Sequence, residues 1–471
     1  MPTFALSLPT AIPSPLTPIA SAGASLGAAL SVWSVLPFAA TLLAIAVLPL
    51  FIPHWWESNR NKGIVAALLA VPFAIWLLLN HGVPAQHALL EAALDYGSFP
   101  AVLGALFVIS GGIHVRGSLA GSPLSNSVIM AIGAALANLI GTTGASMVLI
   151  RPLLRANEKR RRRTHIVVFF IFVVSNCGGL LTPLGDPPLF LGFLKGVPFE
   201  WTLRLWKEWL LVNGLLIVLF NVIDQLVLSR EEKAVKGEAL LEEVLEHEPL
   251  RIDGWHNFFY LIGIVLVIIA KGQAWGTAPA PWPFGVQEGL MAALGASPAL
   301  SSSLPTRREV YTANRFGFSP IIEVAVLFAG IFTTMTAPLQ ILNARGGELG
   351  IAMPWQYFWA TGMLSSFLDN APTYLTFAAT AAGQAGVAAT GATYLAEFLA
   401  RGPEAVAVLT AISCGAVMMG ANTYIGNGPN FMVKAIAEEN GVPMPSFVGY
   451  MGWSAAILLP IFAVVTLIFF R

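Results

Sequence analysis

Thr182-Pro183-Leu184-Gly185-Asp186-Pro187-Pro188-Leu189-Phe190 breaks a long apolar stretch, and Thr423-Tyr424-Ile425-Gly426-Asn427-Gly428-Pro429-Asn430-Phe431 breaks another in the second half of the chain. A membrane interior accepts non-helical backbone only where protein or a water-filled cavity satisfies the freed N–H and C=O groups. Two such interruptions at matching places in the two halves of a chain point to a transporter's binding site.

The composition agrees with a membrane setting. Of 471 residues, 56% are hydrophobic and 11% charged, against about 25% charged in soluble domains. The chain reads as a polytopic membrane protein. Its 25 basic and 25 acidic residues cancel, so no overall field invites nucleic acid or another polyanion. Cys177 and Cys414 lie in apolar segments, where a thiol behaves as a small hydrophobe, and no disulfide is expected. No Lys, Arg, Asp or Glu occurs before Glu57, so residues 1–31 lack the positive start of a secretory signal and read as an irregular N-terminal segment.

Apolar runs suited to crossing about 30 Å of hydrocarbon occur at 32–53, 63–81, 98–116, 166–194, 208–228, 255–272, 319–343, 404–434 and 446–470, with a weaker candidate at 284–304. Two further stretches, 124–157 and 355–385, are too long for one simple span. Charge resolves the first. Arg116 precedes it, and Arg151, Arg155, Lys159 and Arg160 to Arg163 close it. A re-entrant hairpin turning near Thr142-Thr143 keeps both basic ends on the cytoplasmic side, as the positive-inside rule prefers. A matching hairpin at 355–385, opening outward, then leaves most of the 25 basic residues cytoplasmic.

Each half thus reads as three spans, one hairpin, a broken span and a closing span. An odd number of crossings inverts the second half relative to the first. The expected fold is an all-α polytopic membrane protein of two inverted repeats, each with a re-entrant hairpin and a broken transmembrane helix. Repeat 1 covers 32–228 with its broken helix at 166–194; repeat 2 covers 255–471 with its broken helix at 404–434. Between them, 229–254 is a cytoplasmic linker, where Leu240, Leu241, Val244 and Leu245 recur at helical spacing.

Pairing each hairpin turn with its nearest break gives two oxygen-rich clusters. The first joins Thr142, Thr143 and Ser146 to Asp186; the second joins Asp369, Asn370 and Thr373 to Asn427 and Asn430. Hydroxyl, amide and carboxylate oxygens suit a hard cation, whereas helix N-termini facing the same space suit an anion. The turns and breaks contain Asp186 and Asp369 but no Lys, Arg or His. A carboxylate at membrane depth is costly, usually functional and able to carry a proton. The alternative role for either aspartate is capping the helix that follows it. Two intramembrane aspartates also occur in membrane aspartyl proteases, but here Pro183 stands where that motif needs its first glycine, and no enzyme activity is expected.

Several segments carry a family resemblance: Gly141-Thr142-Thr143-Gly144-Ala145-Ser146 with Ile150-Arg151-Pro152, Ser175-Asn176 through Gly192-Phe193, Glu323 through Phe332, Phe367-Leu368-Asp369-Asn370-Ala371-Pro372-Thr373, and Gly420 through Asn430. With these the chain resembles the ion transporter superfamily of inverted-repeat secondary carriers, which includes dicarboxylate/sodium symporters, citrate carriers, arsenite exporters and NhaD-type sodium/proton antiporters. More closely it resembles a bacterial family labelled either citrate transporter or sodium/proton antiporter. The resemblance implies a scaffold plus a moving transport domain, a homodimer, and sodium sites between each hairpin tip and the neighbouring break. Thr142, Thr143, Asp186, Asp369 and Asn370 would be the sodium ligands.

In the dicarboxylate carriers each tip bears Ser-Asn-Thr, where this chain has Thr142-Thr143-Gly144 and Asp369-Asn370-Ala371. Asp369 would repel a polyanion unless protonated or paired. Sodium:proton antiport by alternating access is therefore the first expectation, and cation-coupled transport of citrate or another carboxylate the second. No cofactor is expected beyond the transported or coupling sodium and protons. The expected location is the inner membrane, with the basic hairpin end and the linker cytoplasmic.

Overall fold

A computed structural model of the chain describes residues 26–118, 121–235, 248–272, 286–301, 305–314, 316–389, 391 and 393–471. The first half contains α1 (Leu36–Phe51), α2 (Asn59–Gly111), α3 (Pro123–Ala156), α4 (Thr164–Val173), α5 (Pro187–Leu194) and α6 (Trp206–Val235). The second contains α7 (Asn257–Gly272), α8 (Val286–Ser301), α9 (Ser319–Arg345), α10 (Pro354–Phe367), α11 (Asn370–Gln384), α12 (Pro403–Met419), α13 (Gly428–Glu439) and α14 (Phe447–Phe469). Seven helices among the described residues are long and apolar enough to cross a membrane. The protein is an α-helical, multi-pass membrane protein.

Three boundaries differ from expectation. Residues 26–29 are already helical, and Leu26 and Leu30 are buried beside Ala337 and Ile341, so ordered structure begins within the segment read as irregular. The spans at 63–81 and 98–116 are two helices of α2 that meet at a break at Gly82, with φ 55° and ψ −128°, the residues between them being helical and the second ending at Gly111. The break follows from glycine's lack of a Cβ, which opens this region. The third concerns the linker. Residues 236–247, including Leu240 to Leu245, lie outside the described residues, while Glu248–Asp253 forms strand β2 antiparallel to β1 (His114–Ser118), with His114 opposite Asp253. The extended chain ends leaving α2 and entering α7 satisfy each other's backbone, the one short ladder among the described residues.

Both long stretches fold back on themselves. In α3 the helix breaks at Gly141, with φ 77° and ψ 156°, a conformation open essentially to glycine alone. The two ends then meet: Asn126 donates to Asn157 Oδ1 at 2.9 Å and Asn157 returns a bond to Asn126 Oδ1 at 2.7 Å. In the second hairpin the turn uses extended Leu368 and Asp369 between α10 and α11, and the ends are joined by Tyr357 Oη donating to Gln384 at 2.8 Å. Chain ends tied side by side are what a re-entrant segment requires.

The hairpins enter from opposite ends of the bundle. The base of the first leads into Arg163 and Thr164, which donate to the carbonyls of Gly441 and Pro443 beyond α13. At the other end Leu395 N–H donates to the Lys195 carbonyl after α5, and Arg401 reaches Gly386 just past the base of the second hairpin. The broken helix α4–α5 thus runs from the Arg160 end to the Lys195 end, and α12–α13 runs back. α4 is buried from His165 to Val173, which places the breaks deep in the molecule. A separate pair, α2 and α9, packs lengthwise, joined by the Lys62–Glu323 ion pair at 2.7 Å and by Tyr96 donating to the Ala325 carbonyl.

Candidate functional site

Each break is held open by the same device. Thr182 Oγ1 donates to the Asn138 carbonyl on the first hairpin and accepts from Leu184 N–H at 3.2 Å. Thr423 Oγ1 donates to the Ser366 carbonyl on the second and accepts from Ile425 N–H at 3.2 Å. Gly185 lies against the Gly179 carbonyl and Gly426 against the Gly420 carbonyl, so closely that a Cβ at either would collide with backbone. Glycine is required at both positions by close approach. Asn138 completes the first break by donating to the Gly178 carbonyl and accepting from Leu181 N–H.

The residues that follow Gly185 and Gly426, Asp186 and Asn427, meet each other. Asp186 is buried and precedes α5, yet its carboxylate makes no capping bond to that helix. Instead Oδ1 accepts from Thr142 Oγ1 at 2.8 Å and from Asn427 Nδ2 at 3.2 Å, and Oδ2 accepts from Asn370 Nδ2 at 2.5 Å. Members of both clusters expected from sequence therefore meet around a single carboxylate. Thr142 comes from one tip, Asn370 from the other, and Asn427 from the opposite break.

Amide orientation is fixed by the neighbours. Asn427 Nδ2 also donates to the Ser175 carbonyl, which can only accept, and approaches Asn176 Oδ1. Its NH2 must therefore face Asp186. Asn370 is 1% exposed, and its Oδ1 is buried without a hydrogen-bond partner. A buried carbonyl oxygen without a donor is costly, and here it sits on a residue already bonded to a carboxylate. The arrangement offers oxygen to a cation.

The remaining expected residues divide. Thr143 and Asp369 line the same cavity, of about 120 Å³, as Thr142, Asn370 and Asn427. Asp369 itself caps α11 by accepting from Ala371 N–H at 3.1 Å, so the capping alternative applies to Asp369 and not to Asp186. Three residues bond elsewhere: Ser146 to Ser175, Thr373 to the Asp369 carbonyl, and Asn430 to Asn176 and the carbonyls of Gly420 and Thr423. Asn176 is the residue missed as a participant. It ties Asn427 to Asn430, and its signal was its place beside Ser175 at the end of an uncharged, wholly apolar run.

The cavity has one polar wall and one apolar wall. Leu103, Leu106 and Phe107 of α2 with Ile321, Val324 and Phe328 of α9 face the two tips. Pro187 and Gly428, the first residues of α5 and α13, also line it.

A sequence family described as "Putative citrate transport" matches residues 27–470. The chain belongs to this family. Membership covers both hairpins, both breaks and the α2–α9 pair, and makes the protein a secondary transporter of the citrate-transport family. No curated protein matches it.

Proposed function

We propose that this citrate-transport-family member works by alternating access, with sodium and protons competing for Asp186. The observation that carries the reading is the convergence of Thr142, Asn370 and Asn427 on that one carboxylate. An ionised carboxylate accepts three bonds without providing a donor, and neutral Asn370 Oδ1 supplies a further cation ligand. A site that holds one cation species at a time couples their opposite fluxes. Thr143 and Asp369 complete the cation path along the cavity wall, and Ser146, Thr373 and Asn430 fix the segments that carry it.

The remaining features belong to the same proposal. Hairpins entering from opposite ends and antiparallel broken helices support two inverted repeats. The transport body would move against α2 and α9, in a homodimer of the inner membrane with its Arg160 end cytoplasmic. The chain would carry ions without covalent chemistry.

A second reading, cation-coupled transport of citrate or another carboxylate, is favoured by the family match and by the two helix N-termini at the cavity, whose dipoles attract an anion. Proteoliposomes with an internal pH-sensitive dye separate the two. Antiport predicts that external sodium drives protons out with no carboxylate present. Labelled citrate accumulating while sodium leaves the dye unchanged would replace the first reading with the second.

A further inference from the structure

A second contact joins the two parts of the molecule away from the cavity at the hairpin tips. Lys195, directly after α5, forms an ion pair with Asp95 of α2, and both side chains are largely shielded, at 11% and 21% exposure. Lys195 is held rigidly to the segment bearing Asp186. Its N–H donates to the carbonyls of Leu191 and Gly192, and its carbonyl accepts from Leu395 N–H. The pair borders a small cavity between α2, α9 and α11, lined by Thr336, Gln340 and Leu375. Asp95 lies two turns before Leu103, so the ion pair closes the Lys195 end of the interface whose other end holds the cavity lined by Thr142, Asp369 and Asn370.

Glu91 stands one helical turn before Asp95, lines the same small cavity and forms no ion pair among the described residues. Carboxylates at i and i+4 lie on one face of a helix, about 6 Å apart along its axis. A lysine whose backbone is fixed beside two acidic rungs of a neighbouring helix has two alternative partners, of which Asp95 is the one paired here. Packed elements change register by such discrete steps.

We propose that Lys195 is a two-position latch, paired with Asp95 in the arrangement described here and passing to Glu91 when the Asp186-bearing body slides along α2. The direction is consistent with the cavities: a step toward Glu91 carries Gly185 and Pro187, which flank Asp186, away from Leu103 and Phe107 and toward the Lys195 end. The inference rests on the transport reading only in requiring that the body moves.

Pulsed electron paramagnetic resonance tests it without any assumption about the transported ion. Nitroxides at Leu79→Cys on α2 and Val448→Cys on α14 report the separation of the two parts, both positions being exposed. The latch predicts two distance populations. Asp95→Asn should deplete the population that matches this structure and Glu91→Gln should enrich it, each about two- to five-fold, the scale of a partly exposed ion pair. In a Lys195→Gln background neither change should matter. Two populations that ignore both substitutions, or shift the same way with both, would overturn the latch. One distance under every sodium, proton and citrate condition would instead remove the moving body and the transport reading with it.

Discussion

The two breaks share a threonine bonded across to a hairpin carbonyl and a glycine pressed against the carbonyl six residues earlier. They differ at the next residue, where the first has Asp186 and the second Asn427. In the first, the tip residue Thr142 bonds to its own break; in the second, Asn370 passes over Asn427 to reach Asp186. Asn427 turns its NH2 to the same carboxylate. A repeated backbone frame thus serves one asymmetric centre, because a single buried charge collects the donors of both halves. Two buried carboxylates in contact would repel each other and favour a shared proton.

The comparison can be broken at its charge first. Asn427→Asp places a second carboxylate beside Asp186 and leaves the Ser175 carbonyl without its donor, so ion-driven flux in proteoliposomes should fall several-fold while insertion is normal. Unchanged flux would mean that the asymmetry is incidental. The shared frame is tested next by Gly185→Ala and Gly426→Ala. Each forces a methyl against backbone and should lower stability by about 1–3 kcal/mol, read as loss of thermal stability in detergent. Similar losses in both would confirm that the frames are equivalent, and a neutral Gly426→Ala would show that only the first is tightly packed.

The hairpin bases come next, and the smallest effect is there. Asn157→Ala leaves Asn126 buried with an unmet bond and should cost about 1–3 kcal/mol. Tyr357→Phe removes a single, partly buried hydrogen bond and should cost about 0.5–1.5 kcal/mol. Equilibrium unfolding in mild denaturant should rank them in that order, and the reverse ranking would place the tighter closure in the second hairpin.

Much of this architecture was legible in the sequence. Basic residues flanking 124–157 required a fold-back, and Gly141 supplies the turn within one residue of the expected Thr142-Thr143. Pro187 and Pro429, at or next to the first position of a helix, marked where α5 and α13 resume. Two features were hidden because spacing reports neighbours along one element only. Asn370 and Asp186 are 184 residues apart and meet only because both hairpin tips reach the first break, so pairing each tip with its nearest break could not place Asn370 against Asp186. β2 was hidden because its partner β1 belongs to the other half of the chain.

If one carboxylate, Asp186, carries the exchange, its removal alone should abolish it. Asp186→Asn and Asp369→Asn, measured side by side for sodium-driven proton flux in proteoliposomes, test this directly, since asparagine caps a helix as well as aspartate does and spares the role of Asp369 on α11. Flux should fall to background for Asp186→Asn in a normally folded protein and stay substantial for Asp369→Asn. Wild-type flux from Asp186→Asn would contradict that role for Asp186.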